Sequence, residues 1–362
     1  MKRLFAGMAA ALLAAVLVFP VSAISADSYV LMDAQSGRVI VQKNADKRSL
    51  IASTTKIMTA LVVCEQCNVL DRVRIPREAV GIEGSSMYLQ AGEVLTVQEL
   101  LYGLMLHSGN DAATALAIYC SGTVEGFSQL MNDKARGLGL KNTHFSNPHG
   151  LDAPDHYSCA TDLATLAAFA MENPIFAKTV STKNVNIGSR TLRNHNKLLW
   201  LVEGANGVKT GYTKAAGRIL VSSAERQGRR LVCVTISDPD DWNDHKALLE
   251  KGFSDYSLIS VTEEGQVIGT VEVAGGQKNA VQLIAADSFY YAVAAGERIT
   301  VKLPPAEFVY APVVKGANAG YANVLLDGKC IGKIELLYGQ TVEMKAEEKI
   351  PFYKRLWKGG AQ

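Results

Sequence analysis

The segment Ile57-Met58-Thr59-Ala60-Leu61-Val62-Val63 constrains this chain more than any other stretch. A helix drawn over Ser53 to Val63 is apolar on nearly every side, and such a helix is stable only inside a core with other elements wrapped around it. At its head stands Ser53-Thr54-Thr55-Lys56. Positions i and i+3 of a helix share a face, so Lys56 can bring its nitrogen to the Ser53 hydroxyl. The helix end adds free N–H groups and a positive dipole to the same spot. A serine beside a base is an activated nucleophile. S-x-x-K alone is a common string whose ordinary reading is a capped helix with a solvated lysine. The apolar surroundings argue against that reading, because they leave Lys56 no polar face.

A chain of 362 residues suits two domains, each with its own core. The runs Ser28 to Asp33 and Arg38 to Gln42 flank Ala34-Gln35-Ser36-Gly37 and predict a hairpin at a sheet edge. Leu95 to Leu106, Ala112 to Tyr119, Gly126 to Arg136 and Ala160 to Met171 read as helices. Strand-like runs return at Gly207 to Thr210, Arg218 to Ser223 and Leu231 to Ser237, so one sheet should join the early and late parts of this domain. Past Tyr256 come short β-prone runs at Gln266 to Val273, Ala280 to Leu283, Arg298 to Leu303, Ala322 to Leu326 and Lys333 to Leu337, which predict a separate all-β domain.

The N-terminus carries Lys2 and Arg3, an apolar run from Leu4 to Val18, Pro20, and the small-residue steps Val21-Ser22-Ala23 and Ile24-Ser25-Ala26. That pattern predicts a secretory signal cleaved after Ala23 or Ala26, since the run is short of the ~20 apolar residues of a bilayer span. No other stretch is long and apolar enough to span, so the mature protein is expected outside the cytoplasmic membrane, on its outer face or in the wall or periplasm. With 20% charged residues and a net charge of +2 supplied by Lys2 and Arg3, nothing suggests a nucleic-acid partner. Cys64 and Cys67 form a C-x-x-C with no second pair at metal spacing, and buried thiols are the default for the six cysteines, disulfides remaining open.

Two further motifs follow the first. Ser108-Gly109-Asn110 lies between an apolar segment and a helix beginning near Asp111, and Lys209-Thr210-Gly211 lies on a strand-like stretch opened by Gly204-Ala205-Asn206-Gly207-Val208. Alone, the first is a turn with a helix cap and the second a strand end. Together with Ser53-Thr54-Thr55-Lys56, and in this order, they match the set found in class A β-lactamases and penicillin-binding proteins. The chain from about Asp27 to Leu337 resembles the low-molecular-mass penicillin-binding proteins of the D-alanyl-D-alanine carboxypeptidase type, serine peptidases of the S11 type. The specific stretches are Leu104 to Ala113, Lys141 to Asp152 and Gly207 to Thr213; Phe289-Tyr290-Tyr291-Ala292-Val293 and Ala311-Pro312-Val313 resemble the family's C-terminal β domain. Ile51 replaces the family's usual proline, and His195 stands where some members carry arginine, which bears on carboxylate binding.

The resemblance implies an α+β protein: a β-lactamase/penicillin-binding-protein-like catalytic domain, a mixed sheet with helices, followed by a small all-β sandwich. The expected organisation is a signal peptide over 1–26, the D,D-peptidase domain over 27–255, the β-sandwich over 256–345 and a basic-aromatic tail over 346–362. In the roles the resemblance implies, Ser53 attacks the carbonyl of the penultimate D-alanine of a peptidoglycan stem pentapeptide. Lys56 acts as a neutral base. A free lysine titrates near ~10.4, so burial and the like charge of Lys209 must depress it. Ser108 relays a proton to the leaving D-alanine, Asn110 holds the peptide amide, and Lys209 with Thr210 binds the terminal carboxylate. Gly211 completes the third motif, and the N–H groups of Ser53 and Tyr212 form the oxyanion hole. β-Lactams would be inhibitors, and no cofactor or metal is implied.

Family members often end in an amphipathic anchor. Here Phe352 and Leu356, like Tyr353 and Trp357, are four apart, with Lys354, Arg355 and Lys358 free to reach outward, so residues 349–358 could make a peripheral membrane contact. A solvated basic tail is the plain alternative. A class A β-lactamase would need a deacylating glutamate in E-x-x-x-N, which is missing between Ser108 and Lys209. A D,D-endopeptidase shares the catalytic atoms and stays open. A zinc peptidase using His144, His149, Asp152 or His156 lacks H-E-x-x-H. A non-catalytic penicillin-binding wall protein would not need all three motifs.

Overall fold

The computed structural model describes residues 24–305 and 308–346. Most of the expected signal segment and the tail over 349–358 lie outside the described residues. Alternating apolar residues build a five-stranded antiparallel sheet in the order Val39–Lys43, Ser28–Asp33, Arg229–Ile236, Gly217–Arg226, Ala205–Thr213. Successive side chains of a strand point to opposite faces. Val30, Met32, Ile219, Val221, Val232 and Val234 therefore enter the large core on one face. Leu31, Leu220, Leu231 and Cys233 enter a smaller core on the other. The opening hairpin thus contributes one edge strand and one interior strand, and the sheet joins early and late chain as expected.

Among the described residues eight α-helices complete this unit: α1 (Lys56–Gln66), α2 (Val97–Leu106), α3 (Asn110–Ser121), α4 (Val124–Gly137), α5 (Ala160–Ala170), α6 (Pro174–Ser181), α7 (Leu198–Leu201) and α8 (Asp241–Asp255). Helix α1 is the one that apolar residues surround, and Ile57, Met58, Leu61 and Val63 are fully buried. It packs against α2, α3, α4, α5 and α6. Thr96 starts α2 with a reciprocal capping box to Glu99. On the opposite face of the sheet, α8 buries Leu248 and Leu249 against Leu31 and Leu231.

Helix α8 leads without a linker into the strand Tyr256–Thr262. That strand pairs with Phe289–Ala294, and both pack on a six-stranded sheet ordered Ile299–Lys302, Asn318–Leu326, Lys329–Tyr338, Ala280–Ala285, Val267–Ala274, Phe308–Tyr310. Val271, Val281, Leu283, Val324, Ile334 and Leu336 form its core, so the second unit is the all-β sandwich that the sequence predicts. Of the cysteines, Cys159 and Cys233 are buried and Cys64, Cys67 and Cys120 half-buried, whereas Cys330 is exposed. Cys330 departs from the expected burial because it lies one residue beyond the Asp327-Gly328 turn, near the exposed start of the strand Lys329–Tyr338.

One arginine joins the two units. Arg38, on the turn after the first strand, donates from Nη1 and Nη2 to the two Glu297 carboxylate oxygens at 2.6 Å each and from Nη1 to the Ala292 carbonyl at 2.7 Å. Its guanidinium carbon lies 5.0 Å from the Tyr256 ring centroid and 5.4 Å from that of Tyr291. Hydrogen bonding to Arg38 lowers the Glu297 carboxyl below its ordinary range. Arg38→Ala is expected to cost about 2–3 kcal/mol at this junction. Limited proteolysis and calorimetry should find the β-sandwich melting earlier while β-lactam acylation is kept; an unchanged unfolding profile would contradict this account of the junction.

Candidate active site

Ser53 sits on a 3-10 turn, Ala52–Thr55, that runs into α1. The sequence predicts an α-helix from Ser53; the tighter turn arises because Thr54 and Thr55 donate their hydroxyls back to the carbonyls of Ile51 (2.6 Å) and Ala52 (2.8 Å). The i, i+3 relation survives. Lys56 Nζ donates to Asn110 Oδ1 at 2.7 Å and the His149 carbonyl at 2.6 Å and lies 3.0 Å from Ser53 Oγ, which donates to the lone pair when the amine is neutral. Lys56 has no exposed surface. Burial holds its ammonium well below the usual lysine range, and the charge of Lys209 adds to that, with Asp111 pulling the other way. A neutral amine within reach of the hydroxyl is the species that can take its proton.

The second motif brings Ser108 to the same place on a strained backbone. Its φ of 62° lies in the left-handed region, which costs a non-glycine residue about 1–3 kcal/mol and clusters at functional sites. Asn110 begins α3, and its amide is engaged within the protein: Oδ1 accepts from Lys56, and Nδ2 donates to the Glu83 carbonyl. Asn110 therefore holds Lys56 Nζ in place. Buried Asp111 accepts from Ser86 Oγ (2.6 Å) and from the N–H groups of Met87 (3.1 Å) and Leu89 (3.0 Å), fixing the loop that faces the motif.

The third motif lies on the edge strand Ala205–Thr213. Lys209 is buried, donates from Nζ to the Thr210 carbonyl at 2.8 Å, and is pushed down to about 7 by burial. Gly211 allows a close approach: a Cβ there would sit 3.2 Å from the Ile51 carbonyl oxygen and 3.3 Å from the Ser53 nitrogen, tighter than an ordinary contact. A cavity of about 310 Å³ is lined by Ser53, Ser108, Thr210, Gly211 and Tyr212, so all three motifs meet at one opening. A larger cavity of about 820 Å³ shares no lining residue with it, and the Arg226 guanidinium there is spent on Glu250.

Several contributors escaped the motif reading. The His149 carbonyl is aimed at Lys56 by a loop in which Asn147 Oδ1 accepts from Gly150 N (2.7 Å) and Thr59 Oγ1 donates to the Pro148 carbonyl (2.6 Å). Gly150, at φ 88°, leaves no room for a Cβ beside the Ala52 carbonyl. His156 accepts at Nδ1 from Ser146 N (3.0 Å), so Nε2 carries the proton toward Thr55 Oγ1 (2.7 Å). That ring braces the nucleophile turn. Among the described residues no cluster of three or more His, Cys, Asp or Glu has metal-binding geometry.

Arg218, Asp241, Trp242 and His195 also line the cavity. Arg218 pairs across the strands with Tyr212, and only its Nη2 is bonded to Asp241 (2.7 and 2.8 Å). The hairpin register was the one signal that could have brought Arg218 to the site. His195 is pushed down to about 4 by burial and the nearby Lys209, so it is a neutral wall.

With Lys56 in the expected role of base only its neutral form takes the Ser53 proton, so acylation of Ser53 should rise with pH as Lys56 loses its proton. Lys209→Ala removes a like charge that lowers Lys56, so the acidic limb of the rate profile should move to higher pH. Stopped-flow acylation by a β-lactam across pH measures this, and a limb that stays in place would contradict the coupling.

The family model described as D-alanyl-D-alanine carboxypeptidase matches residues 15–240, and that of the penicillin-binding protein 5 C-terminal domain matches residues 256–344. D-alanyl-D-alanine carboxypeptidase DacF of Bacillus subtilis is 33% identical, over 91% of this chain and 88% of its own length. DacA of Haemophilus influenzae is 36% identical, over 86% and 84%. Among solved structures, penicillin binding protein 5 from Haemophilus influenzae superposes with a TM-score of 0.81 at 34% identity, covering 88% of this chain and 98% of that one. With three motifs on one opening and matches running through both units, this chain belongs to the D-alanyl-D-alanine carboxypeptidase family.

Proposed function

We propose that the chain is a serine-type D-Ala-D-Ala carboxypeptidase that removes the terminal D-alanine of peptidoglycan stem pentapeptides and is acylated by β-lactams. The observation that carries this reading is the buried Lys56 Nζ 3.0 Å from Ser53 Oγ, with neutral oxygens as its hydrogen-bond partners. Ser53 Oγ gives its proton to Lys56 and bonds to the carbonyl carbon of the penultimate D-alanine. The N–H groups of Ser53 and Tyr212 take the oxyanion. Collapse breaks the C–N bond, and the proton reaches the departing amine through Ser108. Water then frees Ser53 from the acyl-enzyme.

Asn110 serves this sequence by holding Lys56, and Lys209 by setting its charge state. For the substrate carboxylate, the Thr210 hydroxyl is joined by Arg218, whose Nε and Nη1 are left over from the pair with Asp241. Such a clamp favours a free C-terminus over an internal bond and separates a carboxypeptidase from a D,D-endopeptidase.

Export rests on the N-terminal pattern over 1–26, and action at the wall or the outer membrane face follows from it. A peripheral membrane contact through 349–358 rests on the spacing of its aromatic and basic residues. No described helix is long and apolar enough to cross a membrane.

The test is incubation with a pentapeptide ending in D-Ala-D-Ala, assayed for D-alanine, together with intact-mass measurement of the penicillin adduct. Ser53→Ala should abolish both. Arg218→Ala should raise KM for the peptide roughly tenfold or more, the loss expected for one charge-assisted contact, with less effect on an amidated C-terminus. D-alanine release by Ser53→Ala would overturn the nucleophile.

A further inference from the structure

A pair of buried acids lies behind the cavity wall with no cation assigned to it. Asp238 is 1% exposed and Asp244 6%. Ser25 Oγ lies 2.7 Å from Asp238 Oδ1 and 2.8 Å from Asp244 Oδ2, and the Ser25 N–H donates to Asp244 Oδ2 at 2.6 Å. A hydroxyl has one proton, so it satisfies one of these carboxylates at a time. Asp238 Oδ2 is buried without a hydrogen-bond partner. Among the described residues no lysine, arginine or histidine forms an ion pair with either acid. Arg218 is held by Asp241, Lys47 by Asp27, and Lys43 donates to the Ala26 carbonyl. Burial raises the Asp238 carboxyl, the Asp244 charge adds to that, and the Ser25 and Thr235 hydroxyls pull it back. His245, next in sequence, is neutral, pushed down to about 3 by burial. Buried carboxylates without a counter-charge are costly, and the missing element is a cation.

We propose that cleavage of the Ala23–Ile24 bond creates that cation: the new Ile24 α-ammonium seats against Asp238 and Asp244 and latches the mature chain onto the wall of the active-site cavity. This rests on the export reading above. Ile24 is half-buried against the core beneath α8. Peptide geometry puts its nitrogen about 6 Å or less from Asp244 Oδ2, because the Ser25 nitrogen is already 2.6 Å away. Uncleaved, that nitrogen is a neutral amide. Cleavage by an export-associated endopeptidase consumes one water, which leaves a carboxylate on Ala23 and an amine on Ile24 that takes up a proton. Val21 and Ala23 give the small-residue pattern such enzymes read. Cleavage after Ala26 would instead discard Ser25 and its three bonds.

The latch is one step from the chemistry. Asp238 N–H donates to the Arg218 carbonyl (3.0 Å), and Asp240 N–H donates to Asp238 Oδ1 (3.1 Å). The next residues, Asp241 and Trp242, line the cavity. An ammonium paired with acids has a raised pKa, so its stabilisation is present below the pH at which a free chain end titrates, ~7.7–8.0, and is lost as pH rises through the higher folded value.

The first test is intact mass of the full chain after export from a bacterial host. A product beginning at Ile24 is expected; one beginning at Asp27 overturns the latch while leaving export intact, and an uncleaved chain overturns both. The second compares the chain starting at Ile24 with one keeping residues 20–23 ahead of it, each with Asp244 and with Asp244→Asn. The extension should lower the melting temperature by about 3 °C or more in the Asp244 protein and by less than about a third of that in Asp244→Asn. Equal losses, or none, would overturn the proposal. Should Asp244→Asn fail to fold, the α-amino pKa of the mature protein, followed by pH-dependent reductive methylation, decides: a value above ~8 is expected and an ordinary chain-end value refutes it.

Discussion

An amine enclosed by apolar helices and touched only by neutral oxygens holds its proton less tightly than a solvated one. That constraint acts on Lys56, and much of the catalytic unit is arranged around it. Helix α1 is buried from Lys56 to Val63, and Lys56 itself has no exposed surface. Asn110 Oδ1 and the His149 carbonyl accept from Nζ and fix it without neutralising a charge, which leaves its lone pair to face Ser53 Oγ. Acidic Asp111 is spent on the Ser86–Leu89 loop, and Lys209 adds a like charge. A carboxylate in the place of the His149 carbonyl would have favoured the ammonium and removed the base.

The supports for this arrangement come from segments far apart in the chain. The turn carrying Ser53 is braced by His156 through Thr55, and Gly150 and Gly211 let two other backbones approach it. Positive φ at Ala52 and Ser108 places strain on either side of the reacting centre, held by the packing around it. The rim is different in kind. Arg218, Asp241 and Trp242 come from a strand and from α8, and through Asp238 they connect to the start of the described chain.

How much of this could be read from the sequence differs by the physics involved. Helix α1 was legible because apolar residues on every side admit no placement but a core. The central sheet and most of the sandwich were legible from period-two alternation. Helix α8 was not, since Asp241-Trp242-Asn243-Asp244-His245 looks like surface, and Asp241, Asp244 and His245 become buried only through tertiary contacts with the sheet. The strands Tyr256–Thr262 and Phe289–Ala294 were missed as strands because their pairing is long-range. Ser53, Lys56, Ser108 and Lys209 were singled out through motif order and family resemblance. The engagement of Asn110 with Lys56, the burial of Lys209 and the arrival of Arg218 depend on side-chain contacts and strand register, which no motif encodes.

The central claim is that Lys56 is a neutral amine in the resting protein near neutral pH. Carbon-13 labelling of the lysine Cε positions, with Lys56→Arg to identify the signal, would follow its titration directly by NMR. The account predicts that the Lys56 signal titrates well below the 10.5 of an ordinary lysine. A Lys56 signal that titrates with the surface lysines would contradict it, and the role of Lys56 as the base that activates Ser53 would have to be abandoned.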